Sequence, residues 1–155
     1  MKHILGIDLG GTNIGVGCVA EDGSRAIGLV SEPTEAAHGA EGVLERMLDL
    51  ARRSMALAKQ EHPTLDVIGV GVGAPGPLDA ARNIIRLAPN LGWKDFPLRQ
   101  RIADGLGIPA VLDNDANCAA LGEWWQGAAR RTVNALCLTI GTGIGAGLII
   151  DGKLR

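Results

Sequence analysis

The chain has 155 residues, 15 of them basic and 17 acidic, with a formal net charge of −2. This length fits one domain that can bury roughly two thirds of the surface its unfolded form exposes. Neither charge sign forms a long run, so we expect no nucleic-acid partner and no membrane partner. The first nine residues carry Lys2 before a short apolar run that Asp8 interrupts, and we find no signal peptide or apolar span. We therefore predict a soluble, cytoplasmic protein.

The cysteines and glycines further limit what kind of protein this is. Cys18, Cys118 and Cys137 lie far apart among apolar residues, which favours buried, reduced thiols over a disulfide framework or a metal knuckle. The chain contains 23 glycines without any low-complexity period. We expect them where the backbone turns tightly or approaches another group closely.

The first half of the chain reads as a meander followed by a helix. Three short strands are predicted in HILGIDLG, IGVGCVAE and SRAIGLVSE, joined by the turns GGTN and DG. From Ala36 to Gln60, apolar residues recur at three- to four-residue spacing, which predicts a long amphipathic helix. DVIGVGVG follows as a continuous apolar run typical of a buried parallel strand.

Helices and strands alternate in the second half. APGPLDAARN is predicted as a loop because two prolines and a glycine interrupt a strand ladder. We then predict a strand in NIIRLA, a loop in PNLGWKDFP, a helix from about Leu98 to Gly105, a strand in PAVLD, a helix from about Ala116 to Gln126, and a glycine-rich hairpin formed by VNALCLTI and IGAGLIID. The predicted fold is one α/β domain, residues 1–155, whose mixed sheet has three antiparallel strands plus parallel strands flanked by helices.

Two glycine-rich turns carry hydroxyl groups. DLGGTN, residues 8–13, combines a carboxylate, flexible backbone, a hydroxyl and an amide, and such a turn can bind phosphate oxygens without a lysine. An ordinary tight β-turn explains it equally well. GTGIGAG, residues 141–147, has four alternating glycines that leave one strand face without side chains. This indicates close approach by a ligand or another strand.

Two loops could line a ligand pocket. GVGAPG, residues 71–76, has the spacing GxGxxG, but no apolar-periodic helix follows it, so we do not predict a dinucleotide site. No GxxxxGK[ST] motif occurs, which excludes a P-loop. PNLGW, residues 89–93, combines an amide with an indole, which suits a polyol such as a sugar, although a loop asparagine is more often a turn former.

The segment DNDAN, residues 113–117, places four polar side chains between a strand and a helix. Asn114 or Asp115 is expected at the helix N-cap, where such residues accept backbone N–H bonds. Capping does not explain all four at the carboxyl end of a central strand, where ligands of open α/β sheets bind. A carboxylate there could accept a hydroxyl proton. From the residues alone, catalysis and capping are both open.

In this order the motifs resemble the ROK family, the bacterial sugar kinases and sugar-responsive repressors within the actin-like ATPase superfamily of ribonuclease H-like folds. DLGGTN resembles its first phosphate loop, GAPGPLD and APNLGW its sugar loops, LDNDANCAALGE its catalytic segment, and TIGTGIGAGLIIDGKLR its second phosphate loop. The similarity runs from residue 4 to the end and is closest to the glucokinases of the family. It implies ATP-dependent phosphorylation of a hexose, with glucose as the expected substrate.

The resemblance also implies residue roles. Asp115 is the general base that takes the proton of the sugar 6-hydroxyl as it attacks the γ-phosphate of ATP, and Asp8 positions the Mg²⁺-bound phosphates. The residues implied to bind the sugar are Gly73, Pro75, Gly76, Asn90, Asn114 and Asp115. Those implied to contact the phosphates are Asp8, Gly10, Gly11, Thr12, Asn13, Gly141, Thr142, Gly143 and Gly145. Asp113 is expected to support the strand end, and Asn117 the helix start.

Family kinases continue into a Glu-x-Gly-His segment, a zinc site and a second domain that holds the adenosine, whereas this sequence stops at Arg155. We therefore expect residues 1–155 to be the amino-terminal lobe of a sugar kinase, inactive in isolation, with zinc only in the carboxyl-terminal part. The alternatives are a sugar-binding ROK repressor and a non-catalytic sugar-binding domain. Repressors carry a helix-turn-helix ahead of the first phosphate loop, and only seven residues precede Asp8, which argues against the first alternative.

Trp124 and Trp125 are adjacent on one short predicted helix and cannot both point into the same core. We expect one of them at an interface with the rest of the protein or with the second subunit of a homodimer. A solvated tryptophan is the simpler alternative.

Overall fold

The structure is a computed structural model that describes residues 1–79, 81, 83–141 and 143–155. In chain order its elements are β1 (Lys2–Leu9), β2 (Asn13–Ala20), β3 (Ala26–Pro33), α1 (Gly39–Glu61), β4 (Asp66–Ala74), β5 (Leu78–Asp79), β6 (Ile84–Ala88), β7 (Trp93–Phe96), α2 (Leu98–Leu106), β8 (Ala110–Asn114), α3 (Asp115–Trp125), β9 (Ala135–Ile140), β10 (Ile144–Ile150) and β11 (Lys153–Leu154). Short 3₁₀ turns span Ala36–His38 and Pro89–Leu91. The three helices predicted from the sequence are confirmed, with small differences at their ends.

The main sheet has the strand order β3-β2-β1-β4-β8. Its first three strands pair antiparallel, and β1, β4 and β8 pair parallel, which confirms the predicted mixed sheet. The register aligns Asp8 of β1 with Gly73 of β4, and Gly73 in turn with Asp113 of β8. The carboxyl ends of three parallel strands therefore bring these residues to one edge of the sheet.

One face of the main sheet forms the hydrophobic core. Leu5, Ile7 and Leu9 alternate along β1 and are buried, because period-two spacing turns them to the same side. Helix α1 covers that face with its apolar stripe, which includes the fully buried Met47 and Leu50. Each fully buried side chain of this size stabilises the fold by roughly 1.5–3 kcal/mol.

The opposite face of the main sheet is rich in glycine and partly open. Gly15, Gly17 and Gly71 lie along it, and it lines a wide, mostly apolar groove of about 910 Å³. Leu29 and Val111 project there and are 70% and 68% exposed. The groove reaches the sheet edge at Asp8 and so adjoins the residues predicted to be functional.

Two predictions of loop structure are wrong. Leu78–Asp79 forms β5, because the interruption by proline ends at Pro77, whose carbonyl already accepts the N–H of Arg86 at 2.9 Å. Trp93–Phe96 forms β7, which pairs with β6. Its aromatic rings at positions 93 and 96 pack inward with their centroids 4.7 Å apart. Lys94 and Asp95 between them are exposed.

The last three strands form a separate sheet in the order β11-β10-β9, which confirms the predicted hairpin. Helix α3 packs on one face of this sheet. A Cβ atom at Gly147 would lie 2.4 Å from the Ala116 carbonyl oxygen, so only glycine permits this approach. The close neighbour of the glycine-lined strand is thus a helix, where the sequence had suggested a ligand or another strand. The outer face is apolar and exposed, with Ile140 at 80% and Ile144 at 82%.

The remaining sequence predictions concern single residues. All three cysteines are free thiols, and Cys18 is buried whereas Cys118 and Cys137 are half-buried. The Trp124 indole N–H donates to the Thr132 carbonyl at 2.8 Å, while Trp125 is 49% exposed. An interface role for Trp125 stays a prediction. Among the described residues, no helix is long and apolar enough to cross a lipid bilayer.

Candidate active site

The predicted sugar and phosphate loops meet at one cleft of about 600 Å³. Five segments form its walls: the β1–β2 turn, the loop after β4, the 3₁₀ turn Pro89–Leu91, the β8–α3 junction and the β9–β10 turn. The predicted site residues that line it are Gly10, Gly11, Thr12, Asn13, Pro75, Gly76, Asn90, Asn114, Asp115, Gly141, Gly143 and Gly145. Asp8 and Gly73 line the adjoining groove on the sheet face, and Asp115 borders both spaces. Thr142 lies outside the described residues.

The β1–β2 turn is a tight turn that faces the cleft. Gly10 donates its N–H to the Asn13 carbonyl at 2.9 Å, which closes the turn. The fully buried Thr34 fastens it from behind, because its hydroxyl donates to the Gly10 carbonyl at 2.7 Å. Sequence reasoning missed Thr34, which follows a strand and precedes a helix and so reads as an ordinary connection. The turn is therefore held by the core and leaves its outer backbone facing the cleft.

The two predicted ligand loops touch each other. A Cβ atom at Gly11 would lie 3.2 Å from the Asn90 Cβ atom, so the first phosphate turn packs against the predicted sugar loop. Gly76 adopts a φ of +89°, and a Cβ atom there would lie 2.1 Å from the Leu87 carbonyl oxygen. Only glycine fits this turn, which places the backbone at 75–76 beside the cleft.

Asn114 is the N-cap of α3. Its side-chain oxygen accepts the N–H groups of Ala116 at 3.0 Å and Asn117 at 3.3 Å. Its amide nitrogen donates to the Gly76 carbonyl at 3.4 Å. This settles which of the two candidate residues caps the helix. Among the described contacts, one amide hydrogen of Asn114 stays available for a ligand in the cleft.

Asp115 begins α3 at the edge of the cleft. One carboxylate oxygen accepts the N–H of Ala116 at 2.8 Å, which holds the side chain at the helix start. The amino-terminal end of a helix stabilises a nearby negative charge. The second oxygen is free for a substrate hydroxyl as far as the described contacts go. The position suits a group that accepts a proton in the cleft.

Asp8 and Asp115 form an acidic pair. The Asp8 side chain reaches solvent, but the protein around it removes part of its hydration, and this desolvation raises the pKa of Asp8 above its usual 3.8. The negative charge of Asp115 raises the pKa further. Two carboxylates beside backbone turns that face a cleft suit a hard divalent cation such as Mg²⁺, which takes oxygen ligands. Such a cation would neutralise the repulsion between the two carboxylates, which contributes to the raised pKa of Asp8.

Cys118 lies beside this pair, one helical turn after Asp115. The sequence predicted only a buried, reduced thiol here and gave it no place at the site. The three-residue spacing from Asp115 on a helix was the available signal. Burial raises the pKa of the Cys118 thiol to about 11, and Asp113, Asp8 and Asp115 contribute to the increase. At neutral pH the thiol is protonated, so it is a poor nucleophile.

Comparison with known proteins assigns the family. The sequence model of the ROK family matches residues 4–155. The chain belongs to the ROK family. It is 35% identical over 156 residues to a glucokinase of Streptomyces coelicolor, and the match covers 100% of this chain and 46% of that protein. A xylose repressor of Caldicellulosiruptor bescii is 34% identical over 114 residues, which are 74% of this chain and 28% of the repressor.

Solved structures confirm the predicted fold. A ROK family glucokinase from Streptomyces griseus, crystallised in complex with glucose and AMPPNP, superimposes with a TM-score of 0.86 at 37% sequence identity. The match covers 99% of this chain and 46% of that chain. The ROK chain therefore has the actin-like ATPase fold, and it spans about half the length of the curated relatives it matches.

The acidic pair makes the stability of this ROK chain depend on pH. Because the pKa of Asp8 is raised, the folded state binds a proton more tightly than the unfolded state. Stability is therefore lost as the pH rises from about 3.8 through the folded pKa. We expect Asp8→Asn to increase the free energy of unfolding at pH 7, with a smaller gain at pH 3.5. Urea denaturation at both pH values measures this, and an equal gain at both would contradict it.

Proposed function

We propose that the intact protein transfers the γ-phosphate of ATP to a hexose, with glucose as the expected substrate. The observation that carries this proposal is the convergence of both glycine-rich turns, both predicted sugar loops and Asp115 on one cleft. Phosphoryl transfer depends on positioning and on charge stabilisation more than on covalent catalysis. The glucokinase relatives, one of them in complex with glucose and AMPPNP, support the same conclusion.

Asp115 is the proposed general base. Its carboxylate accepts the proton of the sugar 6-hydroxyl while the hydroxyl oxygen attacks the γ-phosphorus. The base must lie within hydrogen-bond reach of that hydroxyl, roughly 2.6–3.2 Å, which requires a fixed side chain. The hydrogen bond to the Ala116 N–H at 2.8 Å and the position at the helix start supply this restraint.

The sugar is proposed to lie between Asn90 and Asn114, against the backbone of residues 73–76. Both amides line the cleft, and sugar hydroxyls pair with amide donors and acceptors. Because the Asn114 oxygen already accepts two backbone N–H groups, its contribution to sugar binding is a donated hydrogen bond. This makes Asn114 both the helix cap and a ligand of one hydroxyl.

The phosphates are proposed to lie between the two glycine-rich turns. Backbone at 10–13 is proposed to contact them from one side, and backbone at 141, 143 and 145 from the other, since all of these residues line the cleft. Thr142, which lies outside the described residues, stays a predicted phosphate contact. Asp8 is the residue proposed to hold Mg²⁺, which would neutralise negative charge on the phosphates. The glycines let the backbone approach an anion without side chains in between.

Residues 1–155 are proposed to be the amino-terminal lobe of a larger kinase. The exposed apolar face of β9 and β10 includes Leu136 and Leu138 as well as the two isoleucines named above. A contiguous exposed apolar face of this kind is typical of an interaction surface. We propose that further protein covers this face, holds the adenosine, carries the expected zinc site and forms the expected homodimer. The isolated lobe is then expected to lack kinase activity.

A coupled assay across a panel of hexoses tests the proposed function. We expect the intact protein to form glucose 6-phosphate only in the presence of ATP and Mg²⁺, with a higher kcat/KM for glucose than for mannose, fructose or N-acetylated hexosamines. Residues 1–155 alone are the control and are expected to show no turnover above background. Failure to phosphorylate any hexose would refute the kinase assignment, and another preferred hexose would refute only the choice of glucose.

The similarity to a xylose repressor supports one other function, a lobe that binds a sugar without turning it over. The same panel of hexoses distinguishes a kinase from a lobe that only binds sugar. A repressor lobe would bind a sugar in calorimetry, and ATP would be neither consumed nor required. The acidic pair of Asp8 and Asp115 favours the kinase, because a binding protein gains nothing from two repelling carboxylates beside its ligand.

A further inference from the structure

A hydrogen-bonded brace spans the β8–α3 junction. One carboxylate oxygen of Asp113 accepts the N–H of Asn114 at 2.7 Å and the side-chain amide of Asn117 at 2.9 Å. Asp113 is the penultimate residue of β8, and Asn117 lies in the first turn of α3. The proposed mechanism assigns chemistry to neither side chain. The sequence had suggested only separate, local support of the strand end and of the helix start.

The brace encloses Asp115. Its strand end is tied to the main sheet, because Asp113 pairs in register with Gly73 of β4. Its helix end lies two residues beyond Asp115. Hydrogen bonds to a charged carboxylate are about twice as strong as those between neutral groups. The direction of the first helical turn, and with it the Asp115 side chain, is therefore set relative to the sheet that carries Asp8.

The N-cap alone does not set this direction. The Asn114 side chain accepts N–H groups from within the helix. Among the described contacts, its side-chain bond outside the junction goes to the Gly76 carbonyl and is long, at 3.4 Å. The Asn117 amide makes a shorter bond, at 2.9 Å, and it ties the first turn of the helix to Asp113, one residue further into β8 than the cap. Loss of this bond would let the first turn pivot about the cap.

We propose that Asp113 and Asn117 are positioning residues that aim Asp115 at the substrate hydroxyl. This inference rests on the proposed function. A reacting group displaced by about 1 Å can lose on the order of a hundredfold in rate. The brace acts on the direction of the base and leaves the sugar contacts of Asn90 and Asn114 in place. Its loss should therefore lower kcat and leave the Kd of the hexose unchanged.

Four variants of the intact protein test the brace by kcat, KM and the calorimetric Kd of the hexose. Asn117→Ala removes the bond, and we expect kcat to fall about tenfold or more, per folded active site. Asn117→Asp should fall further, because two carboxylates then face each other. Asp113→Asn should lose little, since its oxygen can still accept both bonds. The double variant Asp113→Asn/Asn117→Asp should regain most of the activity, because the new amide donates to the new carboxylate.

Gln100→Ala is the matched control. It removes another amide-to-carboxylate bond, from Gln100 to Asp104 at 2.7 Å on the exposed side of α2, and should leave kcat unchanged. The inference is overturned if Asn117→Ala keeps wild-type kcat, if it only reduces the folded fraction, or if the double variant is as slow as Asn117→Asp. A wild-type protein that phosphorylates no hexose overturns the proposed function and this inference together.

Discussion

Asp115→Asn is expected to abolish hexose phosphorylation while hexose binding changes little. General bases contribute about 10²–10⁴-fold to rate, so kcat should fall by at least that factor. Asparagine has the same shape as aspartate and can still accept the Ala116 N–H, so the helix start should keep its geometry. The coupled assay measures kcat, and calorimetry measures the Kd of the hexose.

The control for this substitution is Asp151→Asn. Asp151 lies in the exposed turn between β10 and β11 with a φ of +52°, a conformation that asparagine tolerates well. The Asp151→Asn variant should keep the wild-type kcat. Near-wild-type turnover by Asp115→Asn would show that another group accepts the proton. A large loss of hexose affinity would instead show that Asp115 acts mainly as a ligand of the sugar.

Gly76→Ala is expected to have the second-largest effect, on both stability and activity. A Cβ atom at this position would lie 2.1 Å from the Leu87 carbonyl oxygen, and the φ of +89° is unfavourable for any residue with a side chain. Strain and collision together should lower the free energy of unfolding by about 3 kcal/mol or more. Activity should also fall, because the Gly76 carbonyl accepts the Asn114 amide and the residue lines the cleft.

Gly92→Ala distinguishes the effect of backbone strain from the effect of the steric collision. Its φ of +67° is also positive, but no atom lies within 4 Å of the Cβ position. We expect a loss of only about 1 kcal/mol, from backbone strain alone. Chemical denaturation of both variants measures the difference. Equal losses would mean that the Leu87 carbonyl moves away without cost and that the turn does not require glycine.

Much of the fold follows from local patterns. The alternation of Leu5, Ile7 and Leu9 predicts β1, and the three- to four-residue spacing that includes Met47 and Leu50 predicts α1. These patterns are reliable because the period of a strand or a helix decides which side chains share a face. β5 and β7 were missed because these short strands, each next to a proline, owe their pairing to β6, which local spacing does not reveal.

The candidate site was likewise predicted only in part from the sequence. The order of the motifs in the chain predicted which loops would gather at the cleft, and the structure brings twelve of the fourteen predicted positions that it describes onto its walls, with Asp8 and Gly73 in the adjoining groove. Thr34 was missed because it belongs to no motif, and Cys118 was missed because it was interpreted only as a buried, reduced thiol. Thr34 matters because it donates a hydrogen bond to a residue 24 positions away, and Cys118 because the charges of three carboxylates act on its thiol.

The four polar residues at the β8–α3 junction show what the sequence can determine and what it cannot. By itself it determined that a strand ends and a helix begins there, because capping residues and apolar periodicity are local signals. Only the tertiary structure decided that Asn114 is the cap, that Asp113 and Asn117 are joined, and that Asp115 faces the cleft near Asp8. The first two assignments depend on which of several neighbouring polar groups form hydrogen bonds, and spacing alone does not choose among them. The third depends on the register of β1, β4 and β8, which are distant in the chain.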